Sequence, residues 1–300
     1  MSNARLVLAG VFAPVVTPFR GEALDLEALR SNLRKLRQTD LTGYLALGSN
    51  GEYRSLSDKE QVSVLEVFAE EKGDKLVMVG TGYESTHLTV ERSKLAASMG
   101  FGYVSVLTPG YFAKFMDGPA LESFFLRIAE EVPVPVILYN APGFTGGVQI
   151  PPKVVKTLAE HKSIVGMKDS SPQGPARYLN ELSEQRDFSV IAGSANFFYP
   201  SLHLGADGGI LSLANILPEA CCELYSLFRQ GLYNKARDLH FRLTRLNGAV
   251  SGKYGVAGVK AAMDIMGFCG GEPRHPLQPV GEDGKEAIKK AISGEGFSIE

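Results

Sequence analysis

Lys168 ends the apolar run Ile164-Val-Gly-Met-Lys168, and the polar residues Asp169, Ser170 and Ser171 follow at once. A lysine in that setting has two uses. Salt-bridged, it is a buttress. In an apolar pocket its charged form is disfavoured, and the neutral amine can attack a ketone to form a Schiff base. The resulting iminium withdraws electrons and lets a neighbouring carbon–carbon bond break or form. Protons must then be carried to and from the substrate, which a Tyr hydroxyl set by a Ser hydroxyl can do. Tyr139 closes the apolar run Pro135–Tyr139, and Ser49 lies in Gly48-Ser-Asn-Gly-Glu52 beyond another. The backbone N–H groups of that glycine-flanked segment suit a carboxylate, because the glycines permit close backbone approach.

Those residues need elements that bring them together. Short β-rich runs recur at Val11–Val16, Tyr44–Leu47, Leu76–Gly80, Tyr103–Leu107, Pro135–Tyr139, Ile164–Lys168, Phe188–Ala192 and Gly208–Leu213. Between them lie segments with apolar residues at helical spacing, at Asp58–Glu71, Thr86–Met99, Ala120–Glu131 and Pro152–Glu160. Ser57 and Glu60 predict a capping box at the first of these. Strands apolar on both faces, alternating with helices, indicate parallel βαβ units, and eight of them predict a closed (β/α)8 barrel over residues 1–216. A doubly wound sheet would carry a glycine-rich phosphate loop after its first strand. Here that strand runs into Thr17-Pro-Phe-Arg-Gly-Glu-Ala-Leu-Asp25 instead. Residues 217–300 read as a C-terminal helical extension packed on the barrel, its last stretch an exposed helix with a frayed tail.

Barrel enzymes place their chemistry at the carboxyl ends of the strands. The strand exits here carry Ser49 and Asn50, Tyr111, Tyr139, Lys168 and the Ala192-Gly-Ser-Ala-Asn segment. Singly, each has a commoner structural use as a turn, a core residue or an ion-pair partner. It is their agreement on one end of the strands that points to Schiff-base chemistry. Other chemistries lack their residues. His87, His161, His203, His240 and His275 form no close metal pair, and there is no GxSxG elbow for a serine hydrolase. Neither a metal nor a cofactor is expected.

The chain has 300 residues and a formal net charge of -2, with 44% hydrophobic and 21% charged residues. The near-neutral charge argues against a nucleic-acid partner. No apolar stretch is long enough to span a membrane, and the N-terminal apolar run, broken by Pro14 and Pro18, reads as a strand rather than a signal peptide. Cys221, Cys222 and Cys269 suggest no disulfide framework, so a reducing, cytoplasmic setting is expected.

The motifs Gly48-Ser-Asn-Gly-Glu52, Tyr139-Asn-Ala-Pro-Gly-Phe-Thr-Gly146 and Gly166-Met-Lys-Asp-Ser-Ser171, with Ala192-Gly-Ser-Ala-Asn-Phe197 and Gly205-Ala-Asp-Gly-Gly-Ile-Leu-Ser-Leu-Ala-Asn215, carry a resemblance. From about Val11 to Leu277 the chain resembles the dihydrodipicolinate synthase/N-acetylneuraminate lyase family, pyruvate-type class I aldolases on a (β/α)8 barrel. The resemblance implies that Lys168 forms the Schiff base, that Tyr139 is the general acid/base, and that Ser49 belongs to its proton relay. It implies that Asn50 holds the 2-oxo acid carboxylate through its backbone N–H, and that Gly193 and Leu211 line the pocket. Tyr111 matches a catalytic tyrosine that crosses a tight dimer interface into the neighbouring site, so a homodimer or homotetramer acting on a small 2-oxo acid is expected.

Two positions depart from the synthases. Phe144 stands where they carry an arginine for the second substrate's carboxylate, and Asn50 stands where they usually have threonine. The remaining motifs look most like the 4-hydroxy-2-oxoglutarate aldolase branch, which yields pyruvate and glyoxylate and in which Ser170 would meet the distal carboxylate. The alternatives are a 2-keto-3-deoxy sugar-acid aldolase or dehydratase, and dihydrodipicolinate synthase itself. A non-catalytic 2-oxo acid sensor is a remote fourth, since a sensor has no need of the Lys168–Tyr139–Ser49 set.

Overall fold

The computed structural model describes residues 8–185 and 187–299. Eight parallel strands form a closed barrel: β1 (Gly10–Pro14), β2 (Gly43–Ala46), β3 (Leu76–Gly80), β4 (Tyr103–Leu107), β5 (Val136–Asn140), β6 (Ile164–Asp169), β7 (Ser189–Ala192) and β8 (Gly208–Ile210). Hydrogen-bonded neighbours follow sequence order and close through β1 and β8. The (β/α)8 expectation is met. The strands are buried along almost their whole length, which is why they read as apolar runs rather than alternating ones.

By density of internal contacts the chain divides into two compact units. The first comprises Leu76–Ile210 with the described residues up to Gly10. Its helices are α3 (Thr86–Ser98), α4 (Gly118–Glu131), α5 (Pro152–Leu158), α6 (Ala176–Glu181) and α7 (Phe198–His203). Val104, Val106, Ile137, Leu138, Met167 and Ile191 are buried among its strands. Helix α4 starts where Asp117 accepts a hydrogen bond from the Ala120 N–H at 3.0 Å, with Pro119 in the first turn.

The second unit comprises Val11–Lys75 and Leu211–Glu300. It holds α1 (Leu26–Arg37) and α2 (Asp58–Glu71), then α8 (Pro218–Arg229), α9 (Tyr233–Asn247), α10 (Lys253–Ile265) and α11 (Glu282–Gly294). The capping box predicted at α2 is present: Glu60 N–H donates to Ser57 Oγ, and the Glu60 carboxylate accepts from the Ser57 N–H at 2.8 Å. Tyr44 and Phe68 meet edge-on in the core of this unit, ring centroids 6.2 Å apart.

Three helices escaped the sequence reading. Helix α1 carries many basic residues on its open face, which obscures the stripe of Leu29, Leu33 and Leu36 beneath. Helices α6 and α7 have only six residues each, too short to show a helical period. Helix α11 departs from the exposed helix expected there, because Ile288 and Ile292 are fully buried one turn apart. No helix among the described residues is long and apolar enough to cross a membrane.

Candidate active site

In the first unit, Lys168 and Tyr139 are brought together by an irregularity. At the start of the β5–β6 ladder Val136 pairs with Ile164, but the next pairs are Ile137 with Gly166, Leu138 with Met167 and Tyr139 with Lys168. One extra residue, Val165, is accommodated in β6. Because strand side chains alternate between faces, a one-residue slip exchanges the faces. Continuing the opening register would set Tyr139 opposite Met167; the bulge sets it opposite Lys168, on the same face. Gly166 is required at this bend, since a Cβ there would come within 2.7 Å of the Ser189 carbonyl oxygen.

Lys168 is only 4% exposed, and its Nζ lies 4.3 Å from the centroid of the Tyr139 ring. Among the described residues no carboxylate pairs with Lys168. The adjacent Asp169 points to the opposite face, where its carboxyl accepts from Asn140 Nδ2 at 2.6 Å and from Ser171 Oγ at 2.8 Å. Tyr139 packs with Leu107 and Ala141. An amine set against an aromatic face in an apolar wall is the arrangement that Schiff-base chemistry asks for.

Ser170 and Gly193 adjoin this pair. The Ser170 N–H donates to the Asn140 carbonyl at 2.8 Å, and the Gly193 N–H donates to the Asp169 carbonyl at 2.7 Å. A Cβ on Gly193 would come within 2.0 Å of Ser170 Oγ, so glycine leaves the space that the serine hydroxyl occupies. Tyr111 and Phe144 lie on the loops after β4 and β5, and both are well exposed, at 80% and 67%. The Tyr111 ring meets Phe112 edge-on at 4.9 Å. Its backbone is held by the Glu84 carboxylate, which accepts from the Gly110 N–H at 2.9 Å and the Tyr111 N–H at 2.8 Å.

The second unit carries Ser49, Asn50 and Leu211. Ser49 and Asn50 lie in the turn after β2, bracketed by Leu47 at φ 52° and Glu52 at φ 51°. Two non-glycine residues in the left-handed region mark a strained loop, each costing about 1–3 kcal/mol. The turn is pinned by its own backbone, Gly51 N–H to Gly48 C=O at 3.0 Å, and by Thr17 Oγ1 donating to the Gly51 carbonyl at 2.8 Å. Asn50 Nδ2 is buried and has no hydrogen-bond partner among the described residues. Leu211 is fully buried, its N–H donating to the Phe12 carbonyl at 3.0 Å.

Sequence reasoning missed what anchors this turn. Lys260 on α10 is fully buried, with Nζ 2.5 Å from Glu52 Oε1 and donating to the Glu272 carbonyl at 3.0 Å. Burial holds the Lys260 ammonium below the usual lysine range, against the pull of Glu52. The other Glu52 oxygen accepts from the Arg274 N–H at 3.0 Å. The Arg274 guanidinium binds Glu60 with both terminal nitrogens, at 3.0 and 2.6 Å. Those bonds hold the Glu60 carboxyl well down, at about 2. The signal was available as one lysine inside the apolar stretch Gly258-Val-Lys-Ala-Ala-Met263. Among the described residues, no three His, Cys, Asp or Glu side chains gather as a metal site.

A closed parallel barrel with a buried lysine set on a tyrosine at its strand ends fits one class of protein, the class I aldolases. Comparison with known proteins is more specific. The sequence pattern of the dihydrodipicolinate synthetase family matches residues 7–295, and the chain belongs to that family. The chain is 36% identical to a 4-hydroxy-tetrahydrodipicolinate synthase of Methanospirillum hungatei, over 95% of this chain and 98% of that one. A crystal structure of dihydrodipicolinate synthase from Thermotoga maritima superposes with a TM-score of 0.91 at 29% identity, over 97% and 99% of the two chains. A prophage protein of this family from Escherichia coli K12, solved in complex with pyruvate, gives 0.90 at 26% identity over 97% and 99%. The protein is accordingly a pyruvate-using lyase, a class I aldolase acting through a lysine Schiff base. Two of these three relatives carry the synthase's name, and none carries that of the 4-hydroxy-2-oxoglutarate aldolase to which the motifs had pointed.

Proposed function

We propose that Lys168 is the imine-forming lysine and that Tyr139 carries the proton. The observation behind this is the Lys168 amine, buried over the Tyr139 ring and, among the described residues, with no carboxylate paired to it. The amine attacks the ketone carbon of a 2-oxo acid, and the carbinolamine loses water as Tyr139 supplies the proton. Proton loss from the hydroxyl at C4 then breaks the C3–C4 bond, freeing an aldehyde. The enamine left behind is protonated at C3 and hydrolysed to pyruvate. Synthesis runs the same steps backwards. Ser49 completes the relay, and the Asn50 backbone N–H holds the 2-oxo acid carboxylate. Gly193 and Leu211 line the pocket, and Ser170 is the contact for a distal carboxylate. Tyr111 reaches a second copy of the chain in a homodimer or homotetramer, which sedimentation of the purified protein tests.

For the substrate we infer 4-hydroxy-2-oxoglutarate, cleaved to pyruvate and glyoxylate, because Phe144 has no group that could pair with the carboxylate of the synthase's second substrate. The 4-hydroxy-tetrahydrodipicolinate synthase reaction is the second reading, and the names of the relatives favour it. Two assays separate them. Pyruvate release from 4-hydroxy-2-oxoglutarate, without pyruvate consumption on adding the synthase's second substrate, supports the first reading. Brisk consumption with that substrate overturns it in favour of the synthase.

A further inference from the structure

We propose that Asn140 and Asp169 are positioning residues: their side-chain hydrogen bond selects the bulged register of β5 on β6 and so sets Lys168 against Tyr139. The proposal rests on the reading of Lys168 as the imine-forming residue.

The backbone alone does not dictate that register. The ladder begins with Val136 opposite Ile164, and simple continuation would carry Tyr139 to Met167 and Asn140 to Lys168. In the observed register Asn140 stands opposite Asp169 instead, and Asn140 Nδ2 donates to Asp169 Oδ1 at 2.6 Å. That bond exists only after the one-residue slip, which is the same slip that brings the amine and the phenol together. Since neighbouring strand residues face opposite ways, the pair grips the ladder from behind while Lys168 and Tyr139 occupy the front.

Both residues are fully buried, so each lost partner leaves a polar group stranded. Asn140 Oδ1 accepts from the Ile150 N–H at 3.0 Å. Asp169 Oδ1 also accepts from the Ser171 N–H at 3.2 Å, and Oδ2 from Ser171 Oγ at 2.8 Å. The grip extends outward to α6, where the Tyr178 hydroxyl donates to the Ile150 carbonyl at 2.8 Å and accepts from Arg177 Nη2 at 2.7 Å. No atom of this network need touch a substrate; its effect on chemistry runs through the placement of Lys168 and Tyr139.

The test is to measure how fast borohydride traps pyruvate on Lys168, with kcat, KM and melting temperature recorded beside it. Asn140→Asp sets two carboxyl groups against each other across the ladder. It should slow trapping and lower kcat by about a hundredfold, the scale of an ångström's misplacement, with KM for pyruvate moved much less. Asp169→Asn keeps part of the network and should cost about tenfold, which serves if Asn140→Asp does not fold. The exchange Asn140→Asp with Asp169→Asn restores one donor facing one acceptor and should recover both rates to within about tenfold of the parent. Variants that melt lower yet trap pyruvate at the parent rate would overturn the proposal and leave the pair as simple core structure. So would an exchange variant that folds but recovers nothing. If the parent chain traps no pyruvate on Lys168, it is the reading of that lysine which fails, and the two failures are told apart by the parent alone.

Discussion

Among the described residues two lysines are almost completely buried, and their surroundings are opposite. Lys260 touches Glu52 at 2.5 Å, donates to a backbone carbonyl, and lies over the Phe19 ring at 4.4 Å. Lys168 lies over the Tyr139 ring at 4.3 Å and, among the described residues, has no acidic partner. Burial penalises a charge unless it is paired and hydrogen-bonded. Lys260 is paired, and its partner is the last residue of the Gly48–Glu52 turn, so it acts as the buttress of that loop. Lys168, set against an aromatic ring in place of a carboxylate, keeps its amine clear of an ion pair. On the proposed reading the same residue type at the same depth is structure in one place and reagent in the other, and the neighbouring carboxylate makes the difference.

Substitutions can break or sharpen that contrast. Lys168→Ala should lower turnover by about ten-thousandfold while leaving the melting temperature close to the parent's, as kinetics and calorimetry on one preparation would show. Lys260→Met should do the reverse. It strands Glu52 without a counter-charge and should cost about 3–5 kcal/mol in denaturant unfolding, while the folded fraction still traps pyruvate on Lys168. Removing Glu52 as well, as Glu52→Leu with Lys260→Met, should return most of that loss, because a well-packed apolar pair can replace a buried ion pair. Tyr139→Phe keeps the ring beneath the amine but removes the hydroxyl, and should lower kcat by about 10²–10³-fold with the protein fully folded.

The smallest effect is expected at Glu60. Hydrogen bonds from Arg274 hold its carboxyl down at about 2, against 4.5 for the free group. Its stabilising contribution is therefore complete above pH 4.5 and fades as the pH falls towards 2. The difference in melting temperature between the parent and Glu60→Gln should shrink over that interval; a difference that held constant down to pH 2 would contradict the ion pair's role.

Much of this was legible in the sequence, and for identifiable reasons. The barrel strands are buried on both faces, so they stand out as apolar runs, and Ser57 with Glu60 marks the start of α2 in the sequence itself. Lys168 and Tyr139 were visible because each terminates such a run. The register that joins them was not, because the extra residue in β6 lies in an apolar stretch where any slip looks equally good. Asn140 and Asp169 were overlooked for a related reason. Each sits one residue beyond a more conspicuous neighbour, and a buried polar pair shows itself only once both strands are placed. The Glu52–Lys260 pair joins positions that are distant in the chain, and local spacing carries no record of such contacts.

The most direct measurement is reduction with borohydride in the presence of pyruvate, followed by intact mass and peptide mapping of both buried lysines. A single pyruvate-derived adduct on the peptide carrying Lys168, with the Lys260 peptide unmodified, is the expected result. An adduct on Lys260, or no adduct on Lys168 while the enzyme turns over, would contradict the assignment of reagent and buttress.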